Sequence, residues 1–236
     1  MPNTMSSHPD TPRPEHSLAE LATRWAGASR VFQRHQLDFC CQGRRSLGEA
    51  CAQRGLDPQA VVAELQAEIA PTPAEPWPER TRAQLIAHLL ERYHEGHRRE
   101  VPRLWQMAQK VERVHGDKPE CPRGLADHLA RLGQELEQHM QKEEQVLFPM
   151  LLAGAAWSAA GPIQCLMAEH DEHGRNLART RELAHDLVPP PGACGTWRAL
   201  YLGLAELERE VMEHVHLENH VLFPKAIGDA SAVRRN

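Results

Sequence analysis

The chain has 236 residues, enough for one large domain or for a helical bundle with a small accessory domain. Its formal net charge of −5 gives no reason to expect a nucleic-acid or polyanion partner. Aromatic residues make up only 5%, and long Leu/Ala/Glu/Arg stretches favour an all-α protein.

In chain order, residues 1–16 are polar and Pro-rich, lack the apolar centre of a secretory signal, and read as a disordered tail. Ser17 and Glu20 form an S-x-x-E capping pattern, which predicts a helix through about Phe32. Ser46 and Glu49 repeat it. Asp57-Pro58 supplies an N-cap and a first helical residue for a third helix to about Ala70. Residues 17–70 are therefore expected to form a small helical module. The Pro-rich run 71–78 is expected to be a linker.

Four long helical patterns follow. The first runs from about 79 to 114 on the stripe Ile86, Leu89, Leu90, Tyr93, Val101, Leu104, Val111. Pro102 is expected to kink it or loosen a turn. The second runs from Pro122 to about Leu152 on Leu125, Leu129, Leu132, Leu136, His139, Glu143, Val146, Met150. The third starts near Pro162 and ends before Pro189. The fourth covers about 196–226 on Leu200, Leu204, Leu207, Val211, His214, Glu218, Val221. Spacings of three and four with short connections predict an up-down four-helix bundle over 79–228. No stretch approaches the roughly 20 apolar residues of a membrane span.

Two segments are near-copies: His139-x-x-x-Glu143 and His214-x-x-x-Glu218, each running on into Val-Leu-Phe-Pro. His94-Glu-Gly-His97 likewise resembles His170-Asp-Glu-His173. The interval from His94 to His139 is 45 residues and that from His170 to His214 is 44. Helices one and two thus repeat as helices three and four, which implies a pseudo-twofold axis. Residues at i and i+4 differ by about 40° around a helix and about 6 Å along it, so each His/Glu pair continues the core stripe inward. Two carboxylates buried face to face are costly unless cations lie between them. His94 follows Leu90, and His170 follows Leu166, each by four residues, which adds two imidazoles. The set His94, His139, His170, His214, Glu143 and Glu218 suits two borderline transition ions with bridging carboxylates. Mg²⁺ or Ca²⁺ would need more oxygen, and a structural zinc site would favour thiolates.

His97 and His173 lie one turn from His94 and His170 on a neighbouring part of the surface, where ligation and an accessory role are both open. Glu169 points elsewhere on its helix and is open to an accessory or access-channel role. His216 and His220 are expected to face away. His115 is 21 residues beyond His94, about 31 Å of helix, which places it outside the cluster as an accessory residue at most. No catalytic residue is assigned.

The six cysteines are Cys40, Cys41, Cys51, Cys121, Cys165 and Cys194. A chain this large has a core without disulfide staples, so free thiols in a reducing, cytoplasmic compartment are expected. Within Asp38-Phe-Cys-Cys-Gln-Gly, the adjacent Cys40 and Cys41 are poorly placed for a relaxed disulfide. As exposed thiols beside Arg44 and Arg45 they are expected to be lowered in pKa and reactive, or metal-binding.

Several motifs together resemble the repair-of-iron-centres family: Asp38-Phe-Cys-Cys-Gln-Gly, Arg92-Tyr-His94, the segment 110–119 around His115, Lys142-Glu-Glu-Gln-Val-Leu-Phe-Pro-Met150, Glu169-His-Asp-Glu172 and Leu217-Glu-Asn-His-Val-Leu-Phe-Pro224. The resemblance covers almost the whole chain after the tail. It implies a hemerythrin-like bundle behind an ScdA-type N-terminal domain that carries Cys40 and Cys41. It implies two iron ions, oxo- or hydroxo- and carboxylate-bridged, on His94, His139, Glu143, His170, His214 and Glu218. The implied role is repair of iron–sulfur clusters damaged by nitric oxide and oxidants, with iron donation as its chemistry. Partners would be damaged or apo iron–sulfur proteins and nitric oxide, with no nucleic acid and no membrane; a homodimer is compatible. The alternative is nitric oxide reduction, or NO or O₂ binding, at the same centre. The chain departs from the family pattern at His220, where Asn is usual, and at His173 and His216, which add imidazoles.

Overall fold

The computed structural model describes residues 11–25, 27–68, 77–155 and 158–233. They fall into two compact units divided between Glu79 and Arg80. Residues 1–10 of the expected tail and 71–76 of the expected linker lie outside the described residues.

The first unit contains α1 (Leu18–Arg24), α2 (Ala28–Arg34), α3 (Leu47–Arg54) and α4 (Pro58–Glu68), with a 3₁₀ turn at Trp77–Glu79. Ser17 caps α1 by accepting from Glu20 N at 3.1 Å. The single helix expected through Phe32 is broken instead. Trp25 is extended at φ −116°, ψ 112°, and Gly27 turns the chain at φ 97°, a conformation that only glycine adopts without strain. A Cβ at Gly27 would also lie 3.0 Å from Glu68 O. The capping box at α3 is complete: Ser46 Oγ accepts from Glu49 N, and Glu49 Oε2 accepts from Ser46 N at 3.0 Å. Asp57 accepts from Gln59 N at 2.9 Å at the start of α4. Leu21, Val31, Phe32, Phe39, Leu47 and Val61 are buried in the core of this unit. Residues 11–16, expected in the tail, are tied to it. Gly48 N donates to Pro14 O and Leu47 N to His16 O, each at 2.9 Å.

The second unit is built from four long helices: α5 (82–115), α6 (125–152), α7 (Ala160–Leu183) and α8 (195–233). Thr81 and Gln84 form a capping box at the start of α5. Helix α5 packs on α6 and α8, and α7 packs on the same two, so consecutive helices are neighbours and the ring closes. Cross-helix bonds give the directions. His94 near the start of α5 meets Glu144 near the end of α6, whereas Glu112 meets Ala126 at the other end. Likewise His170 meets Asn219 while Arg181 meets Glu208. The order is therefore up-down. Leu104, Leu129, Leu166, Trp197, Leu200 and Leu204 are buried along the bundle. Burial of each of these leucines is worth about 1.5–3 kcal/mol. No helix among the described residues is long and apolar enough to cross a membrane.

Three of these helices contain a π turn: Leu89–His94 in α5, Glu143–Leu147 in α6 and Glu218–Leu222 in α8. Such turns insert one residue into the helical register and recur at functional sites. The consequence is visible in α6. Val146 and Met150 were expected on the buried stripe, but Val146 is 48% exposed, and Leu147 and Leu151 are buried in their place. The extra residue carries the stripe forward by one after Glu143. The irregular turn of α5 is likewise not at Pro102, which lies inside the continuous segment Glu95–His115.

Candidate metal centre

The end of the bundle that carries the three π turns also carries the predicted cluster. His94 closes the π turn of α5. His139 precedes that of α6, and Glu143 opens it. His214 and Glu218 stand in the same relation on α8, and His170 sits mid-way along α7. All six side chains are 0–1% exposed. Their inner atoms fall into two overlapping sets, His94, Glu143, His214, Glu218 and His139, Glu143, His170, Glu218, with ligand atoms within 4.8 Å of one another. The two glutamates belong to both sets, so they lie between two pairs of histidines.

The Nε2 atoms face this centre. His94 Nε2 is 3.3 Å from Glu143 Oε2, and His170 Nε2 is 3.1 Å from Glu218 Oε2. His214 Nε2 is 3.3 Å from Glu218 Oε1, and His139 Nε2 is 3.5 Å from Glu143 Oε1. These approaches are not hydrogen bonds. All four oxygens of Glu143 and Glu218 lack a hydrogen-bond partner among the described residues, as do Nε2 of His94 and His214. Unsatisfied buried carboxylates are among the costliest groups a fold can hold. Four inward imidazole nitrogens and two shared carboxylates make a donor set that fits two transition-metal cations and answers that cost.

The electrostatics point the same way. Burial, then the neighbouring carboxylate of Glu218, drives Glu143 well above the usual carboxylate range. Burial opposes ionisation at Glu218 too, but His214, His139 and His170 outweigh it and hold that group low. Burial beside His214 lowers His94 to about 4, so its imidazole is neutral and able to donate a lone pair at neutral pH.

Three of the four outer nitrogens are anchored, by residues that the sequence reading did not single out, apart from Glu169. His94 Nδ1 meets Glu144 Oε1 at 2.7 Å, and Arg98 braces that carboxylate at 2.8 Å. His139 Nδ1 meets Glu169 Oε2 at 3.0 Å, and Lys142 braces Glu169 at 2.5 Å. The bond to His139, opposed by burial, and then Lys142 lower Glu169 to about 2. His170 Nδ1 meets Asn219 Oδ1 at 2.8 Å. Such partners fix the tautomer, leaving Nε2 unprotonated toward the centre. Glu144 and Asn219 each directly follow a core glutamate in the repeated segments, which was the available sequence signal.

His97 and His173, left open between ligation and an accessory role, are buried at 1% and 5% exposure. The His97 ring centroid is 5.4 Å from that of His214, and the His173 centroid is 4.8 Å from that of His139. Burial lowers His97 well below the usual range and His173 to about 3. Neither belongs to the two sets of converging atoms. His216 and His220 pack against each other with ring planes tilted by 39° and centroids 5.2 Å apart. They lie outside both sets, but His216 is buried. His115 lies outside as well. Its Nε2 is 3.2 Å from Cys194 Sγ and its ring packs on Trp197.

A cleft of about 590 Å³ between α5 and α6 is lined by Val101, Pro102, Trp105, Leu129 and Leu136, and includes His97. A smaller polar recess of about 160 Å³ is lined by Glu135, Gln138, Lys142, Glu169, Glu172 and His173.

In the first unit, Asp38, Cys40 and Cys41 come together with Sγ–Sγ 3.6 Å apart. Asp38 Oδ1 accepts from Cys41 N at 2.9 Å and from Cys40 Sγ at 3.3 Å. The expectation of exposed, arginine-activated thiols is overturned for Cys40. It is buried, and Cys41, burial and the Asp38 carboxylate push its thiol well above the usual range. All six cysteines are free thiols.

Residues 85–226 match the hemerythrin HHE cation binding domain, and residues 14–69 match ScdA_N, a domain of unknown function. The chain is 48% identical over 212 residues to the iron–sulfur cluster repair protein YtfE of Yersinia pseudotuberculosis serotype O:1b, covering 89% of this chain and 96% of that protein. The YtfE protein of Yersinia pestis strain Pestoides F matches to the same extent, 48% over 212 residues. With an ScdA_N domain followed by a hemerythrin-type bundle that gathers four histidines and two glutamates at its centre, the chain belongs to the repair-of-iron-centres family.

Proposed function

We propose that this protein holds two iron ions on His94, His139, Glu143, His170, His214 and Glu218 and donates iron for the repair of damaged iron–sulfur clusters. The observation that carries the reading is the set of four carboxylate oxygens of Glu143 and Glu218, buried between four imidazoles without a hydrogen-bond partner among the described residues. The name of the YtfE relatives supplies the process. Bound iron is the cargo, ligated by imidazole and carboxylate without thiolate.

The chain's own residues account for holding and releasing it. Glu144 and Glu169 keep Nδ1 of His94 and His139 protonated, so that Nε2 offers a lone pair inward. Glu143 and Glu218 neutralise cationic charge that the apolar bundle would otherwise exclude. When a cation leaves, burial beside Glu218 drives Glu143 to take up a proton, so one positive charge replaces part of another. The centre can thereby empty without the bundle coming apart. The six free thiols support a reducing, cytoplasmic setting.

The test is transfer of iron from the purified, iron-loaded protein to an apo iron–sulfur protein. Cluster assembly faster than with an equal amount of free iron supports the reading; no excess over that control overturns it. The double substitution Cys40→Ala/Cys41→Ala is expected to leave the bundle iron in place and reduce repair.

A second reading, nitric oxide reduction or NO or O₂ binding, draws on the largely apolar cleft that reaches His97. Its lining suits small neutral molecules. Nitrous oxide formed on mixing the diferrous protein with NO would favour reduction. Stoichiometric NO uptake without nitrous oxide would favour binding.

A further inference from the structure

The internal repeat makes the two halves of the centre comparable residue by residue. His94 corresponds to His170, His139 to His214, Glu143 to Glu218 and Glu144 to Asn219. Glu169, which precedes His170, corresponds to Tyr93, which precedes His94. The inward donors obey this symmetry and the outer partners do not. In the half formed by His139 and His170, both outer nitrogens are held: His139 by Glu169 at 3.0 Å and His170 by Asn219 at 2.8 Å. In the half formed by His94 and His214, only His94 is held, by Glu144 at 2.7 Å. His214 Nδ1 is buried without a hydrogen-bond partner among the described residues. Where its counterpart has a carboxylate, His214 has the Tyr93 ring, stacked within 2° of parallel with centroids 5.4 Å apart. A stacked ring packs against the imidazole but accepts no proton from it.

We propose that the two halves bind their cations unequally, and that the cation between His94 and His214 is released first. This rests on the reading that the bundle holds two cations. The physical ground is the outer hydrogen bond. It fixes the tautomer, orients the ring and raises the donor strength of the inner nitrogen, and its loss typically lowers metal affinity about 10- to 100-fold. His214 lacks that bond, and also pays to keep a buried ring nitrogen unsatisfied. Tyr93, Glu169 and Asn219 are thus positioning residues that set which cation is labile. An iron donor built this way gives up one ion while the other, with Glu143 and Glu218 still ligated, keeps the bundle end ordered.

The test is anaerobic loading of the full chain with Fe(II), followed by mixing with an excess of a chromophoric ferrous chelator. Two phases of about one iron each are expected, with rates at least about 10-fold apart. Asn219→Leu removes the amide acceptor at nearly constant volume and is expected to accelerate the slow phase alone. Tyr93→Glu, which gives His214 the partner that His139 already has, is expected to slow the fast phase alone. If Tyr93→Glu fails to fold, Asn219→Leu still decides the assignment. A single phase for both irons in the unsubstituted chain, or an effect of Asn219→Leu on the fast phase, overturns the proposal. Fewer than two irons per chain after loading overturns the two-cation reading beneath it and the inference with it.

Discussion

Replacing Glu143 by Gln separates what the carboxylate costs the fold from what it gives the metal. Glu143 is fully buried, its two oxygens have no hydrogen-bond partner among the described residues, and a second such carboxylate faces it. In metal-free protein at neutral pH Glu143 must take up a proton that the unfolded chain does not hold, at a cost of about 1.4 kcal/mol per pKa unit above the unfolded value of about 4.3 and so at most about 4 kcal/mol at pH 7; a neutral amide of similar shape removes that cost and should gain about 1–4 kcal/mol. The amide also has somewhere to donate, since His94 Nε2 lies 3.3 Å from Glu143 Oε2 and its Nδ1 is engaged by Glu144. At about 3 °C per kcal/mol for a unit of this size, the metal-free melting point should rise by roughly 3–12 °C. Iron loading should do the reverse. Ligands bound only by the folded state stabilise by about 4 kcal/mol at a thousandfold excess over Kd, and a chain that has lost a shared carboxylate gains far less. The order of the two proteins should therefore invert between metal-free and iron-loaded melts followed by circular dichroism. A lower metal-free melting point for Glu143→Gln would refute the reasoning, because it would mean that the protein itself satisfies the carboxylate.

The π turn in α6 predicts opposite outcomes at neighbouring positions. Leu147→Ala should cost about 2–5 kcal/mol because Leu147 is buried, whereas Val146→Ala should cost less than about 0.5 kcal/mol because Val146 is 48% exposed; denaturant melts read both. Ser46→Ala removes one arm of the α3 capping box and should cost about 1 kcal/mol in the first unit, leaving iron stoichiometry in the second unchanged. Glu68 is held below its ordinary range by Arg34 and Arg30, and Glu64 by His35 and Arg34. A lowered folded pKa gives stability that is present above the unfolded value of about 4.3 and lost as pH falls through the folded value. Hydrogen-exchange protection in α2 and α4 should accordingly decline between about pH 5 and 3, and Arg34→Met should flatten the decline. Protection that rises on acidification, or that ignores Arg34→Met, would contradict the pairing.

The bundle was legible because each long helix announces its buried face at spacings of three and four, and because a repeated His-x-x-x-Glu breaks that face at matched positions. The same periodicity was blind to the π turns. A rule based on 3.6 residues per turn carries Val146 inward, and nothing local to Glu143–Leu147 marks the extra residue. It left His97 and His173 open between ligation and an accessory role; both rings pack inside against His214 and His139 without joining the converging donors. Outer partners such as Glu144, Asn219 and Tyr93 depend on contacts between helices and could only be inferred from the repeat. In the first unit, the cap at Ser17 was readable but the break after it was not. The left-handed Gly27 interrupts an otherwise helical pattern, and one glycine inside such a pattern is ordinarily tolerated. Cys40 was misread because arginines adjacent in sequence need not be adjacent in space, and the fold sets the Asp38 carboxylate 3.3 Å from the Cys40 thiol.

Metal analysis of the reconstituted protein, combined with its optical spectrum, tests the central claim most directly. About two irons per chain with oxo-to-iron charge-transfer bands are expected in the oxidised protein, with loss of at least one iron in Glu218→Gln. A chain that retains no iron, or one whose iron is unaffected by Glu218→Gln, would contradict it.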